Sequence, residues 1–177
     1  MPVEKLSWRW MAEYEAGLTR RFNRAGSHPL VLAVFRRISR LGDGVFWYVL
    51  MIAMYLFQGA TAVPVILQML AAGLTATLLY KWLKHKTLRP RPHQQFGFIH
   101  CRTAPLDRFS FPSGHTFHAV TFTLVAIYYY PMLAWLLVPF TLAVAASRLV
   151  LGLHYPTDVL AGALLGMLVA AASFLVF

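Results

Sequence analysis

Apolar residues run along this chain in long unbroken stretches, and the few charged positions fall between them. Gly44 to Phe57 carries no Asp, Glu, Lys or Arg, Leu41 and Gly42 extend it past Asp43, and Thr61 to Tyr80 forms a second uncharged run. A bilayer core of about 30 Å needs roughly 20 helical residues to cross it, so both read as membrane spans, the first a short one. The second ends at Lys81, Trp82 and Lys84, residue types that anchor at the lipid interface. Ser110 to Ser147 is also uncharged but too long for one crossing, and "YYYPM" at Tyr128 to Met132 divides it into a third and a fourth span. Val159 to Phe177 is the fifth, and its Gly162 and Gly166 form a small-xxx-small pair suited to close helix packing.

Ahead of these runs, Glu4 to Phe22 and His28 to Arg40 interleave Trp8, Trp10, Leu30 and Phe35 with Arg9, Arg20, Arg36 and Arg37. Basic and apolar faces on one helix suit a membrane surface. The charges inside "MPVEKLSWRWMAEYEAGLTRRF" exclude both a cleavable signal peptide and a span there. The pattern predicts an all-α polytopic membrane helix bundle with five transmembrane helices and two N-terminal amphipathic surface helices. It forms one membrane-embedded domain over residues 1–177, with a surface segment at 1–40 and a transmembrane core at 41–177. Lys84 to Phe111, containing Pro90, Pro92 and Pro105, is the one long loop, and such loops are usually functional or disordered.

Composition agrees. The 177 residues are 59% hydrophobic and only 12% charged, against about 25% charged in globular domains. The formal charge of +10 would suggest nucleic acid in a soluble protein. In a membrane chain it points instead to anionic lipid head groups or a phosphorylated substrate, and no nucleic-acid partner is expected. Cys101, the single cysteine, reads as a loop thiol. Five crossings place every Lys and Arg on one side of the membrane, and that bias narrowly favours a cytoplasmic active face in the cell membrane.

Three clusters share the charged side: Lys84 and Arg91 in "KHKTLRPRP", then Ser113, Gly114 and His115 in "FPSGHTFHAV", then Arg148, His154 and Asp158 in "SRLVLGLHYPTD". Polar groups are costly near lipid, so their concentration at the mouths of apolar runs needs a reason. Together they form an inventory for phosphoryl transfer, where positioning and charge stabilisation do most of the work. Arg91 and Arg148 offer forks matched to phosphate oxygens, and Lys84 adds a point charge. Gly114 and His115 sit where helix N–H groups favour an anion. Pro156 suits the first turn of the last helix, leaving His154 in the loop with Asp158 to orient it as a nucleophile. His115 is then available to protonate the leaving oxygen. Neither metal nor cofactor is required.

Each residue also has a plainer reading. Lys84 and Arg148 can be interfacial anchors, His115 a helix-start hydrogen bonder, and His154 with Asp158 a loop pair; Ser113 is a rival nucleophile. His118, one turn after His115, suggests a metal pair, but no acidic or Cys cluster completes a shell. Arg89, Arg102 and Arg108 read either as head-group contacts or as a flexible basic loop. The shared side and register of the clusters favour a site.

The order Lys84-x6-Arg91-Pro92, Pro112-Ser113-Gly114-His115, Ser147-Arg148-x5-His154-x3-Asp158 resembles the three-part signature of the type 2 phosphatidic acid phosphatase superfamily. That superfamily includes lipid phosphate phosphatases, bacterial class A acid phosphatases and vanadium haloperoxidases. The resemblance implies an all-helical core, a phosphohistidine at His154 oriented by Asp158, and His115 as general acid. It also implies phosphate binding by Lys84, Arg91, Ser113, Gly114 and Arg148 without metal. Membrane relatives usually have six spans, where the pattern here shows five. The expected function is hydrolysis of a lipid phosphate or pyrophosphate, with undecaprenyl pyrophosphate, phosphatidylglycerol phosphate or phosphatidic acid leading and lipid A 1-phosphate a further option. The alternative is a lipid-phosphate transporter or binding protein without turnover.

Overall fold

The computed structural model describes residues 3–177, with side chains from Trp10 onward, and among these the regular structure is entirely helical. Helices α1 (Val3–Ala25) and α2 (Pro29–Arg40) precede α3 (Phe46–Gln58) and α4 (Val63–Thr87). The short α5 (Pro92–Gln95) interrupts the loop before α6 (Gly114–Tyr129), α7 (Ala134–Val150) and α8 (Pro156–Ser173).

Among the described residues, three helical stretches are long and apolar enough to cross a membrane. They are Pro29–Gln95, which includes the bends between α2, α3 and α4, then Pro131–Val150 and Pro156–Ser173. The outward faces are apolar: Leu67, Leu74 and Leu78 on α4 and Leu160, Leu164 and Leu168 on α8 are exposed. A soluble monomer rarely leaves so much apolar surface uncovered, whereas a membrane protein covers it with lipid.

Helix α4 runs through Thr87, so Lys84 stands on a helix rather than in the loop that the sequence suggests. Its last turn carries Lys84, His85 and Lys86, cations that the negative end of the helix dipole favours. Leu88 then adopts a left-handed conformation (φ 49°) and the helix stops before Arg89 and Pro90. The loop that follows is tied down. Ser110 N–H donates to the Arg89 carbonyl at 2.9 Å and Arg102 N–H to the Leu151 carbonyl at 3.1 Å. Asn23 exchanges two hydrogen bonds with the backbone of His100, each 2.9 Å.

Helix α6 is central and packs against α4, α7 and α8. Trp47, Phe122, Val125, Leu137 and Val144 fill the main core around it. The glycine pair of α8 does what its spacing suggests. A Cβ at Gly162 would lie 2.5 Å from the Ser113 carbonyl oxygen, and one at Gly166 would lie 2.8 Å from that of Phe117. Backbone therefore meets backbone where α8 crosses the start of α6.

Gly162→Ala forces that contact apart, and overpacking of this kind typically costs about 1–3 kcal/mol. Its thermal midpoint in detergent should fall below that of the native protein. Gly17→Ala, where the added Cβ meets nothing within 4 Å, should leave the midpoint unchanged or raise it.

Candidate active site

The end of α4, the loop around α5, the start of α6 and the α7–α8 turn converge on one cavity of about 800 Å³. Lys84, Arg91, Gly114, His115, Arg148 and His154 line it. Lower walls of Trp47, Met51, Leu70, Leu74 and Phe122 are apolar. The cavity is thus basic at its head and greasy along its length.

Local structure explains each placement. The chain leaves α7 in a tight turn in which the N–H groups of Leu153 and His154 both donate to the Arg148 carbonyl, at 3.1 and 3.2 Å. Gly152 makes this possible with φ 72°, and a Cβ there would run into the His100 carbonyl oxygen. Pro156 opens α8, and Asp158 caps it by accepting the Tyr155 N–H on Oδ2 at 2.8 Å. Gly114 starts α6 with Ser113 as its cap residue, and the Ser113 N–H donates to the Asp158 carbonyl at 3.0 Å. Two helix starts are fastened together beside the cavity.

His154 is almost fully buried. Its Nε2 lies 3.4 Å from Arg91 Nη1 and its Nδ1 lies 3.5 Å from Asp158 Oδ2. The second distance is a close approach rather than a formed hydrogen bond, and Nδ1 has no hydrogen-bond partner among the described residues. Burial pushes the His154 imidazole well below its ordinary pKa, and Arg91, Arg148 and Lys84 push the same way. A depressed pKa means the ring takes up a proton only below the usual imidazole range, so at pH 7 it is neutral and keeps a free lone pair.

The cations are buried too. Lys84 Nζ donates to both oxygens of Asp107, at 2.8 and 2.6 Å, and to the Phe109 carbonyl at 3.2 Å. Arg91 donates to Asp107 Oδ1 at 2.9 Å and to the Leu153 carbonyl at 2.7 Å. Arg148 donates to Ser39 Oγ on α2 at 2.5 Å. His115 Nε2 is 3.4 Å from Asp43 Oδ1, in the bend before α3.

The motif residues are not all alike. Ser113 is buried, pairs its hydroxyl with Thr116 Oγ1 at 2.9 Å, and is not among the cavity-lining residues. Asp158 likewise stands behind His154. His118 ties α6 to α4: its Nδ1 is 3.0 Å from the Gly114 carbonyl, and its Nε2 is 3.0 Å from Thr77 Oγ1 and 3.2 Å from the Gly73 carbonyl. Both ring nitrogens are engaged in structure. Arg89 is fully buried and donates to Asp158 Oδ1 at 2.6 Å, so it is neither a flexible loop residue nor a head-group contact.

Sequence reasoning missed Glu15, Asp43, Asp107 and the role of Arg89. One signal was present. The chain has only six Asp and Glu residues, and four of them, Glu15, Asp43, Asp107 and Asp158, contact Arg89 or another residue of this site. Scarce acids in an apolar chain mark where cations are held.

A sequence model of the PAP2 superfamily matches residues 61–177. The chain belongs to the PAP2 superfamily. Among solved structures it is similar to Aquifex aeolicus LpxE, with 28% identity, a TM-score of 0.80, and coverage of 91% of this chain and 94% of that one. It is also similar to the transmembrane PAP2 type phosphatidylglycerolphosphate phosphatase of Bacillus subtilis, with 25% identity, a TM-score of 0.66, and coverage of 98% and 95%. The bacitracin transport permease protein BcrC of Bacillus licheniformis is 42% identical over 65 residues, which are 37% of this chain. That match spans 32% of the length of BcrC.

Two measurements check the site as drawn. In a 15N-histidine titration in detergent, with the signal assigned by His154→Asn, His154 should remain neutral at pH 6, where a free imidazole is mostly charged. Asp107→Asn removes the carboxylate that occupies Lys84 and Arg91. The variant should bind inorganic phosphate or orthovanadate about tenfold more tightly, the worth of one charge-assisted hydrogen bond, as read by the ligand concentration that raises its thermal midpoint.

Proposed function

We propose that this protein hydrolyses a membrane lipid phosphate or pyrophosphate through a phosphohistidine on His154, without a metal. The observation that carries the reading is that three buried cations and two histidines head one apolar cavity. A phosphate fits the head and a lipid chain fits the apolar length. In this reading α3, α4, α6, α7 and α8 cross the membrane, α1 and α2 lie at its surface, and the whole chain is one domain. The charge bias favours a cytoplasmic active face.

The geometry supports the following chemistry. Lys84, Arg91 and Arg148 bind the phosphoryl oxygens, with the Gly114 N–H at the start of α6 beside them, and Asp107 is displaced. Catalysis then lies in holding charge as it develops. His154 Nε2 attacks phosphorus, the bond from phosphorus to the leaving oxygen breaks, and His115 gives its proton to that oxygen. Asp158 holds the His154 ring and offsets its positive charge. Water next attacks the phosphohistidine, His115 takes the proton from that water, the N–P bond returns its electron pair to Nε2, and inorganic phosphate leaves. Ser113, buried against Thr116, supports the turn and does not serve as nucleophile.

The name of BcrC, a transport permease protein, keeps binding without turnover as the second reading. Turnover separates the two. Purified protein in detergent should release inorganic phosphate in the presence of a chelator from at least one of undecaprenyl pyrophosphate, phosphatidylglycerol phosphate, phosphatidic acid and lipid A 1-phosphate. No release from any of them supports the binding protein. The role of His115 has its own check. General acid catalysis is typically worth about 10² to 10⁴ in rate and matters least for a good leaving group. His115→Ala should therefore damage lipid phosphate hydrolysis far more than hydrolysis of an activated aryl phosphate, and equal damage removes it from that role.

A further inference from the structure

Helix α1 reads from sequence as a surface helix, and one face fits: Trp10, Tyr14, Leu18 and Phe22 are exposed at successive helical turns. The opposite face holds an acid. Glu15 is only 7% exposed, and it faces Arg89 and Asp158, both 0% exposed. Glu15 Oε2 accepts from Arg89 Nη2 at 2.8 Å, and Oε1 accepts the Thr157 N–H in the first turn of α8 at 3.0 Å. Arg89 Nη1 reaches Asp158 Oδ1 at 2.6 Å and Thr157 Oγ1 at 2.8 Å, and its guanidinium stacks 4.2 Å from the Tyr155 ring centroid. A carboxylate, a guanidinium and a second carboxylate thus run from α1 to the residue behind His154.

The arrangement restricts Asp158. Its Oδ1 is held by Arg89 and its Oδ2 by the Tyr155 N–H. The remaining acceptor capacity of Oδ2 faces His154 Nδ1 at 3.5 Å. Rotation of the carboxylate would break the Arg89 pair, and Arg89 is itself fixed by Glu15. Buried charges this close are stable only as a satisfied network.

We propose that Glu15 and Arg89 are positioning residues for the reaction, with Glu15 holding Arg89 and Arg89 holding Asp158 so that its carboxylate orients the His154 nucleophile. The inference rests on the phosphohistidine reading. It gives the N-terminal helix a part in the chemistry: α1 supplies a member of the support for the nucleophile.

Glu15→Gln is the informative variant. Glu15, Arg89 and Asp158 carry one positive and two negative charges, so neutralising Glu15 leaves Arg89 paired with Asp158 and no buried charge uncompensated. At metal sites, losing an outer partner that orients a ligating residue typically costs about 10- to 100-fold in affinity or activity, and an effect of that size is expected here. The single-turnover rate of His154 phosphorylation should fall by that factor, while affinity for inorganic phosphate, set by Lys84, Arg91 and Arg148, should stay within about twofold. Glu15→Asp, which keeps the charge on a shorter stem, should recover part of the rate and serves as the readout if Glu15→Gln does not fold. A native-like phosphorylation rate in Glu15→Gln, or loss of phosphate affinity in step with rate, overturns the positioning role. With Glu15→Asp as the readout, a native-like rate overturns it equally. Native protein that forms no phosphohistidine overturns the reading beneath it instead.

Discussion

Lys84, Arg91 and Arg148 are each at most 4% exposed, and an apolar helix bundle holds three such cations only where acids and carbonyls compensate them. Much of the architecture at this end of the molecule follows from that demand. Asp107 spans Lys84 and Arg91, the Leu153 and Phe109 carbonyls accept further hydrogen bonds from them, and Ser39 of α2 accepts from Arg148. A loop of otherwise irregular chain is pinned across the bundle in order to deliver these partners. The cations outnumber the acids that touch them, and a tetrahedral oxyanion is the ligand that such an excess favours.

The second constraint is steric. His154 and His115 stand at the starts of α8 and α6, so their relation depends on how closely those helices approach. Gly162 and Gly166 let α8 press its backbone against Ser113 and Phe117, and the Ser113 N–H bonds the Asp158 carbonyl. Small residues are how helices come this close where lipid leaves no hydrophobic drive between them. Packing deep in the bundle thereby sets the geometry of the polar end.

The helices were legible because apolar runs must match a bilayer, and the clustered residues were legible because their spacing is local: Lys84 with Arg91, Ser113 to His115, and Arg148 with His154 and Asp158. What was hidden depends on contacts between distant segments. Glu15 meets Thr157 across 142 residues and Asp107 meets Lys84 across 23, and neither contact leaves a period in the sequence. Helix α4 continued through Lys84 because basic residues suit a helix C-terminus, a preference that reads equally well as an anchor beyond the span. The loop looked free because Pro and polar residues mark irregular chain, yet its order comes from Asn23 and Arg36, which bond the backbone of His100 and Arg102.

The central claim is that His154 carries the phosphoryl group, and the structure turns its Nε2 toward Arg91 with Nδ1 toward Asp158. Rapid base quench of the enzyme during turnover of a lipid phosphate substrate, followed by mass spectrometry of the peptide containing His154 and nuclear magnetic resonance of the adduct, locates the phosphorus. The account predicts an acid-labile, base-stable phosphohistidine on Nε2 of His154. A phosphoryl group on Ser113 or on His115, or turnover with no phosphoenzyme at all, contradicts it.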